Sequence, residues 1–366
     1  MKKIKIITII GTRPEIIKMS SLIQLMDKEF NHILVHSGQH YDYEMDKIFF
    51  KDLNIRDPDY MLNVGSKGHA AQTASIIIKS EKILLKENPD WVIVFADPNT
   101  PLAGALVASK LNIPLIHLEA GCRSFNKSMP EEINRIVCDH CADLLLAPDD
   151  VARKNLLREG LSKDKIHAVG STIIEVSLRN IIQARRKSKI MQKLGLKKGD
   201  FVLLTLHRAE NTNDPKILAQ LINAAEVLSE KINIVFPLHP RTEKILNNNH
   251  IKIKGKIKTI KPQGYLDFLL LIDNCLFIMS DSGSIQEEAG ALNIPCMILR
   301  NETEWTYLVD AGKNLLLGTD RDNIIKEISN LLDNRNKIED IKKIKLEMHK
   351  DVSSKVVQII KNESKK

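Results

Sequence analysis

The amino-acid sequence predicts an α/β protein with two doubly wound domains, each a parallel sheet covered by helices on both faces. Two observations lead to this prediction. Short β-branched and leucine-rich runs alternate with amphipathic segments in each half of the 366-residue chain. A long polar helical pattern, at about residues 173–194, separates the two series of runs and marks the domain junction. Two such sheets can hold a large ligand in a cleft between their carboxyl ends.

The strand candidates are apolar runs of the length expected for buried parallel strands. In the first half they are residues 4–10, 33–36, 91–95, 114–118, 144–147 and 166–169. In the second half they are residues 201–206, 232–236, 276–279, 295–299 and 315–317. Helical patterns, such as residues 68–86 and 100–111, lie between them. The last thirty residues also have a helical pattern.

The composition indicates a water-soluble protein with an anionic small-molecule partner. Hydrophobic residues make up 43% of the chain and charged residues 27%. The net charge is +8, but the lysines are scattered and only 4% of residues are aromatic, so no nucleic-acid surface is predicted. Lys5 interrupts the first apolar stretch, which favours a strand over a signal peptide. No apolar run approaches the length of a membrane span.

The five cysteines have no framework spacing, which indicates a reducing, cytoplasmic setting. Cys138 and Cys141 form a CxxC motif with His140 between them. A structural zinc site needs a second pair of ligands, and the surrounding sequence looks helical. We therefore predict neither a metal nor a redox centre.

Residues 117–135 concentrate the charged groups that acid–base chemistry needs. This stretch begins at the end of an apolar run, which finishes at Leu118. Its charged residues are Glu119, Arg123, Glu131, Glu132 and Arg135. Carboxylates at a strand end can serve as acid and base, and arginine can hold an anion. The alternative is a polar loop followed by a helix whose first turn carries glutamates because they stabilise the helix dipole.

Other polar loops of the first half also follow strands. Arg13 and Lys18 lie at the start of a helix after Gly11, where an anion is favoured. Asp97 follows the buried run at residues 91–95. The turn from Ser37 to His40 is weaker, because a capping turn explains it equally well. Each loop alone has such an alternative explanation.

The second half repeats this arrangement with basic and hydroxyl side chains. His207 follows the first strand, and a basic turn at residues 239–242 follows the second. Hydroxyls and a glycine at residues 280–284 open a helix and can form a nest of amide donors for phosphate. Glu288, one turn further on, can bind a ribose diol. Together the loops predict a diphosphate-linked nucleotide, with carboxylates of the first domain near its remaining group.

Five segments then identify a family resemblance. The segments are GTRPEIIK, HLEAGCRS, MPEEINR, LHRAENT and SDSGSIQEEAG. Their order and spacing resemble those of non-hydrolysing UDP-N-acetylglucosamine 2-epimerases over about residues 4–350. The resemblance implies a GT-B-like fold of two Rossmann-like domains that face each other across a cleft. It implies a catalytic first domain at residues 1–170, a UDP-binding second domain at residues 171–349, and a C-terminal helix at about 350–366 that packs back on the first.

The resemblance also implies an activity. Members interconvert UDP-GlcNAc and UDP-ManNAc, a step in polysaccharide biosynthesis, by anti elimination of UDP through 2-acetamidoglucal and re-addition. No metal or other cofactor is implied, and members are usually cytoplasmic homodimers. Alternatives that remain open are a UDP-2,3-diacetamido-2,3-dideoxyglucuronate 2-epimerase and a hydrolysing relative that releases ManNAc and UDP. A GT-B glycosyltransferase and a non-enzymatic UDP-sugar binder are further alternatives.

The resemblance assigns roles to individual residues. It implies that the acid–base set is Asp97, Glu119 and Glu131, and that the groups around the leaving diphosphate and the sugar are Arg13, Lys18, His207 and Arg135. It implies that the UDP loop contains Ser282, Gly283, Ser284 and Glu288. Glu132 is a lesser candidate, because adjacent helix positions point about 100° apart.

The chain departs from the family pattern in four segments. Ala96-Asp97-Pro98 replaces the usual Gly-Asp-Thr, and Ser284 replaces a glycine. Trp305 occurs in a motif that is usually Thr-Glu-Arg-Pro-Glu; a tryptophan there is found in relatives that act on diacetamido-glucuronate sugars. Tyr41 replaces the arginine of members activated by UDP-GlcNAc at a second site.

Overall fold

The computed structural model describes residues 3–39, 43–346 and 348–365 and forms two compact units. The first unit comprises Met1–Val176 with His349–Lys366, and the second comprises Ser177–Met348. His40 and Tyr41, which the sequence analysis singled out in the turn after the second strand, lie outside the described residues.

The first unit contains a seven-stranded sheet in which all neighbouring strands are parallel. Its strands are β1 Lys5–Ile10, β2 Asn31–His36, β3 Tyr60–Met61, β4 Trp91–Phe95, β5 Leu115–Leu118, β6 Leu144–Ala147 and β7 Ile166–Ala168. Their order is β3-β2-β1-β4-β5-β6-β7. The order reverses direction between β1 and β4, which is the switch point where open parallel sheets bind ligands.

Helices connect these strands. They are α1 Arg13–Glu29, α2 Tyr43–Asp52, α3 His69–Glu87, α4 Asn99–Lys110, α5 Pro130–Cys141 and α6 Asp150–Arg158, with a short 3₁₀ helix at Lys163–Lys165. Helix α7, Thr172–Lys187, begins in the first unit and ends in the second. The polar helical pattern predicted for residues 173–194 therefore breaks near Ser188, whose hydroxyl accepts a hydrogen bond from the Ile190 N–H.

The second unit contains a six-stranded parallel sheet of order β10-β9-β8-β11-β12-β13. Its strands are β8 Phe201–Thr205, β9 Asn233–Pro237, β10 Ile257–Ile260, β11 Ile278–Ser280, β12 Cys296–Ile298 and β13 Asn314–Leu316. Its helices are α8 Ile190–Leu194, α9 Ala209–Thr212, α10 Pro215–Leu228, α11 Pro240–Asn248, α12 Tyr265–Asn274, α13 Gly283–Ala291, α14 Thr306–Asp310, α15 Arg321–Asp333 and α16 Arg335–Lys343. The switch point lies between β8 and β11.

The last helix, α17 Val352–Glu363, belongs to the first unit. The Ser353 N–H and hydroxyl donate to one carboxylate oxygen of Glu175 at 2.7 and 2.9 Å. The Trp91 indole N–H donates to the Ser364 hydroxyl at 2.9 Å. None of the helices in the described ranges is long and apolar enough to cross a membrane.

The strand sequences explain why both sheets are interior layers. In β4, β5, β6 and β8 nearly every residue is buried, because helices cover both faces of a parallel sheet. Two strands, β3 and β10, were not predicted from the sequence. Both are edge strands, and their half-buried or exposed residues give no continuous apolar run. The predicted fold class of two Rossmann-like parallel sheets is confirmed.

Candidate active site

In the first unit, two carboxylates follow neighbouring strands. Phe95 of β4 pairs with Leu118 of β5, and the Ala96 N–H donates to the Leu118 carbonyl at 3.0 Å. Asp97 and Glu119 therefore leave adjacent strands at the carboxyl edge of the sheet. This is the edge where parallel sheets bind ligands.

Each of these carboxylates is paired with a buried cation. The Lys18 ammonium lies 2.6 Å from Glu119 Oε1, and both side chains are 8% exposed. The Arg135 guanidinium lies 2.5 Å from Asp97 Oδ2, with the aspartate side chain 32% exposed. Four of the residues assigned from the sequence thus meet as two ion pairs. Asp97 is the more accessible carboxylate of the two.

The neighbouring glutamates at the start of α5 have different surroundings. Glu132 is 1% exposed. Its carboxylate accepts hydrogen bonds from the Ser124 N–H, the Ser124 hydroxyl and the Phe125 N–H, each at 2.9 Å, and lies 3.3 Å from Arg135 Nη1. Glu131 is half-buried. Glu132 therefore anchors the preceding loop and helps to orient Arg135, whereas Glu131 remains accessible.

The backbone at both strand ends is left-handed. Ala96 has a φ of 58° and Glu119 a φ of 60°. Residues with a side chain rarely adopt this conformation, and such strain collects at functional sites. The departure from glycine at position 96 thus falls at a residue whose conformation favours glycine. Ala96 adopts the left-handed conformation although it has a side chain.

A buried chain of polar groups lies behind these two turns. One ring nitrogen of His117 lies 3.0 Å from the Ala96 carbonyl oxygen and the other lies 2.6 Å from the Asp139 carboxylate. The second oxygen of Asp139 accepts from the Gly121 N–H at 3.0 Å and from Arg123 at 2.7 Å. Sequence reasoning singled out His117 without giving it a role and missed Asp139, because their partnership depends on a contact between β5 and α5.

The turn from β1 into α1 carries Arg13 and a buried acid. The Arg13 guanidinium stacks over the Phe49 ring at 4.8 Å. Glu15 is 1% exposed and accepts from the Gly11 N–H at 3.0 Å. Burial raises the pKa of the Glu15 carboxyl to about 8; polar groups of Thr12 and Gly11 oppose this shift. No sequence signal distinguished Glu15 from a solvated first-turn glutamate.

In the second unit, one aspartate organises the basic loop after β8. Asp281 is fully buried and accepts from the backbone N–H groups of His207 and Arg208 at 3.0–3.1 Å. Its carboxylate also lies 3.3 Å from His207 Nδ1. Burial alone would raise the pKa of Asp281, but these hydrogen bonds and the His207 ring hold the pKa below its usual value. Asp281 thus fixes the His207 ring, whose side chain is 37% exposed.

The predicted UDP loop opens α13 directly after β11. Ser282 precedes the helix, and its side chain makes no capping hydrogen bond to the described first turn. A Cβ atom on Gly283 would lie 2.5 Å from Glu304 Oε1, so a larger residue there would require the Glu304 side chain to move. Ser284 lies within the helix and is not among the described residues with positive φ. The serine in place of the family's glycine is therefore tolerated by the backbone.

Glu288 lies on the same helix, one turn further in, and is 4% exposed. It interacts with the phenol of Tyr265, which is itself buried and lies 3.3 Å from the Ser177 hydroxyl. Burial, with a smaller effect of the Glu288 charge, raises the pKa of Tyr265 well above its usual value. The phenol therefore keeps its proton and can donate a hydrogen bond.

The CxxC pair lies in and beside the hydrophobic core of the first unit. Cys138 packs in the hydrophobic core of the first unit, and burial raises the pKa of its thiol well above the usual value. All five cysteines are free thiols. Within the described ranges, no three His, Cys, Asp or Glu side chains are arranged to hold a metal ion.

Comparisons with known proteins identify the family of the chain. A family model described as UDP-N-acetylglucosamine 2-epimerase matches residues 24–361. A UDP-N-acetylglucosamine 2-epimerase of Methanococcus maripaludis is 48% identical over 337 residues, which cover 90% of this chain and 92% of that protein. A UDP-2,3-diacetamido-2,3-dideoxy-D-glucuronate 2-epimerase of Pseudomonas aeruginosa is 42% identical over 328 residues, which cover 88% of this chain and 90% of that protein.

The structures agree as well. The crystal structure of the Methanocaldococcus jannaschii UDP-GlcNAc 2-epimerase in complex with UDP-GlcNAc and UDP matches with a TM-score of 0.91 and 42% identity. The match covers 98% of this chain and 100% of that one, which confirms the GT-B-like fold class. From these matches, and from the family segments on the loops described above, the chain belongs to the UDP-N-acetylglucosamine 2-epimerase family.

Proposed function

We propose that this protein interconverts UDP-GlcNAc and UDP-ManNAc by inverting C2 of the sugar, without net hydrolysis. The observation that carries the proposal is the pair of carboxylates, Asp97 and Glu119, at adjacent strand ends, each held by a buried cation. Two-sided proton transfer at one carbon requires more than one positioned carboxyl group. The UDP-GlcNAc complex of the Methanocaldococcus jannaschii relative supports the choice of substrate.

The proposed reaction has two balanced halves. One carboxylate takes the C2 proton while the C1–O bond to UDP breaks, and 2-acetamidoglucal forms with a C1=C2 double bond. UDP then adds back to C1 as a carboxyl group delivers a proton to the opposite face of C2. Asp97, Glu119 and Glu131 form the acid–base set. No oxidant or reductant is needed, because addition reverses the elimination.

Cations of both units have a separate proposed task. Negative charge develops on the diphosphate as it leaves C1, and preorganised donors stabilise such charge most effectively. We assign this role to Arg13, Lys18 and His207, with Arg135 near the sugar. The stacking of Arg13 on Phe49 and the contact of His207 with Asp281 support the assignment, because both side chains are held in place.

The nucleotide itself is assigned to the predicted second domain, residues 171–349. Ser282, Gly283 and Ser284 offer the first-turn N–H groups of α13 to phosphate. Glu288 is assigned to the ribose hydroxyls. The support is geometric, since Gly283 leaves no Cβ in the loop and Ser282 does not cap the helix.

The deciding experiment is incubation with UDP-GlcNAc in heavy water, followed by NMR. The proposal expects UDP-ManNAc and UDP-GlcNAc at equilibrium, both carrying deuterium at C2. Free ManNAc with UDP would instead indicate a hydrolysing enzyme. Nucleotide binding without deuterium at C2 would indicate a UDP-sugar binding protein. A sugar transferred to an added acceptor would indicate a glycosyltransferase.

A second candidate substrate is UDP-2,3-diacetamido-2,3-dideoxyglucuronate. Two observations favour it: the 42% identity to the Pseudomonas aeruginosa enzyme and the tryptophan at position 305. Trp305 is 3% exposed and its ring lies at 90° to that of Tyr307, next to the α13 loop. Parallel assays with both UDP-sugars decide between them. Turnover of the glucuronate alone would contradict the main proposal.

We further infer that the protein works as a cytoplasmic homodimer. The free thiols support a reducing compartment, because disulfides persist in oxidising ones. Exposed apolar residues on α3 support self-association: Ile78 is 59% exposed and Leu85 is 64% exposed. Ile78 and Leu85 lie seven positions apart on α3, so they share one face of the helix.

A further inference from the structure

The left-handed turns at Ala96 and Glu119 share one support. Ala96 precedes Asp97, and Glu119 is itself left-handed, so the direction of both carboxylates depends on strained backbone. An L-residue in this conformation relaxes to negative φ unless its surroundings hold it. The structure must therefore contain groups that keep both turns in place.

The chain of His117, Asp139 and Arg123 meets this requirement. His117 binds the Ala96 carbonyl at 3.0 Å, so it holds the residue before Asp97. His117 also lies two residues before Glu119, and Asp139 holds the Gly121 N–H two residues after it at 3.0 Å. The His117 and Asp139 side chains are fully buried. These side chains thus hold the backbone on both sides of Glu119, and His117 also holds Ala96, the residue that follows β4.

Asp139 also connects these turns to the rest of α5. Glu132, Arg135 and Asp139 lie at helix positions i, i+3 and i+7, which share one face. Arg135 holds the Asp97 carboxylate, while Asp139 holds the backbone before Asp97 through His117. One helix face therefore sets both the side chain and the turn of the same aspartate.

We propose that Asp139 is a positioning residue for the epimerisation: through His117 and Gly121 it fixes the left-handed turns that aim Asp97 and Glu119 at the substrate. This inference rests on the proposed function, because it concerns the same carboxylates. Asp139 itself does not contact the sugar in this assignment. Its loss should lower kcat and leave nucleotide affinity nearly unchanged, since the UDP loop and Glu288 lie in the second unit.

The first test is Asp139→Asn in the full-length protein. Asparagine keeps an acceptor oxygen for Gly121 and Arg123 but removes the negative charge between Arg123 and His117, and its NH₂ group can pair with His117 only if that ring nitrogen accepts. We expect kcat with UDP-GlcNAc to fall about 10- to 100-fold, because displacements of about 1 Å have such effects. KM should change by no more than roughly twofold.

The matched control is Asp143→Asn. Asp143 accepts from the Leu115 N–H at 3.0 Å, so it supports the same strand, β5, at the opposite end. The control removes a carboxylate that holds strand backbone, but not one that holds either turn. Whatever its effect on Tm, kcat should stay within roughly twofold of the wild type.

A second variant isolates the link to Ala96. In His117→Asn, the amide NH₂ can replace the ring Nδ1 toward Asp139, but nothing reaches the Ala96 carbonyl. We expect the kcat loss of Asp139→Asn to recur here. This variant also tests the proposal if Asp139→Asn does not fold.

A rescue experiment separates positioning from general destabilisation. Glycine accepts the left-handed turn without support, so Asp139→Asn combined with Ala96→Gly should recover roughly fivefold in kcat over Asp139→Asn. A purely structural role predicts no recovery, because added flexibility does not restore activity. Ala96→Gly alone should leave kcat nearly unchanged.

Three results would overturn the positioning role. They are wild-type kcat in both Asp139→Asn and His117→Asn, an equal kcat loss in Asp143→Asn at equal Tm, and no recovery on adding Ala96→Gly. A wild-type protein that produces no UDP-ManNAc and no C2 deuterium would contradict the proposed function instead, and the positioning role would fall with it.

Discussion

At the scale of single residues, the buried carboxyl of Glu15 links stability to pH. Burial raises the pKa of this group from 4.5 to about 8. Between these values the unfolded chain releases a proton that the folded chain keeps. The stabilisation is therefore complete below pH 4.5 and is lost as pH rises toward 8. We expect the free energy of unfolding to fall by about 1.4 kcal/mol per pH unit in this window from Glu15 alone.

Glu15→Gln tests this expectation, because glutamine has the shape of the protonated acid and cannot ionise. Urea unfolding of both proteins between pH 5 and pH 8 measures the two slopes. The variant should lose less stability as pH rises and should exceed the wild type at the alkaline end. Parallel pH dependences in the two proteins would show that Glu15 is ionised throughout the range.

The packing around Gly11 leaves no room for a side chain. A Cβ atom there would lie 2.1 Å from the Ser37 hydroxyl and 2.2 Å from the Thr100 hydroxyl, which bond to each other at 2.7 Å. Gly11→Ala should therefore lower the free energy of unfolding by about 1–3 kcal/mol through overpacking. Thermal unfolding measures the loss.

Gly68 supplies the control for Gly11, because no atom lies within 4 Å of its Cβ position and its φ is −58°. Gly68→Ala should cost less than about 1 kcal/mol, the scale of a helix N-cap change. Equal losses at the two positions would mean that the crowding around Gly11 relaxes without cost.

At the scale of elements, helix α5 divides structural and catalytic tasks between adjacent residues. Glu132 accepts three hydrogen bonds from the preceding loop, whereas Glu131 is half-buried and belongs to the proposed acid–base set. Glu132→Gln should lower the free energy of unfolding by about 1–3 kcal/mol, because donors of the loop lose a charged acceptor. Glu131→Gln should leave Tm nearly unchanged and lower kcat about 10²- to 10⁴-fold.

The two glutamine variants control for each other, since the chemical change is the same at neighbouring positions. Thermal unfolding and epimerase assays on both proteins are sufficient. Full activity in Glu131→Gln would remove that residue from the acid–base set. A wild-type Tm in Glu132→Gln would mean that the loop at Ser124 does not depend on its carboxylate.

The same elements show what a sequence can reveal. Buried parallel strands were predictable because both faces are apolar, so β4 and β8 read as continuous runs. Edge strand β10 was not predictable in this way, because Lys258 and Thr259 are exposed within it. Loops at strand ends identified the assigned site residues, but they revealed neither Asp139 nor the role of Asp281. A buried aspartate that binds backbone N–H groups has no sequence signature, since only the folded chain brings its partners close.

At the scale of the whole molecule, the proposed tasks divide between the units. The acid–base set comes from the first unit, and the UDP loop comes from the second. The sequence predicted this two-fold alternation because each half repeats the strand–helix pattern. Self-association has no such internal pattern, so it must be inferred from exposed surface.

Helix α3 of the first unit is the surface that we expect two copies to share. Four exposed apolar residues lie within one face of this helix: Ala71, Ala74, Ile78 and Leu85. Ile78→Lys with Leu85→Lys should convert a dimer into a monomer, because burying two lysines against a second copy is unfavourable. Light scattering after size-exclusion chromatography measures the mass.

Ile182→Lys is the control, since Ile182 is 55% exposed on α7. A doubly substituted protein that remains dimeric would exclude this face of α3 as the contact, whereas dissociation by Ile182→Lys would move the contact to α7.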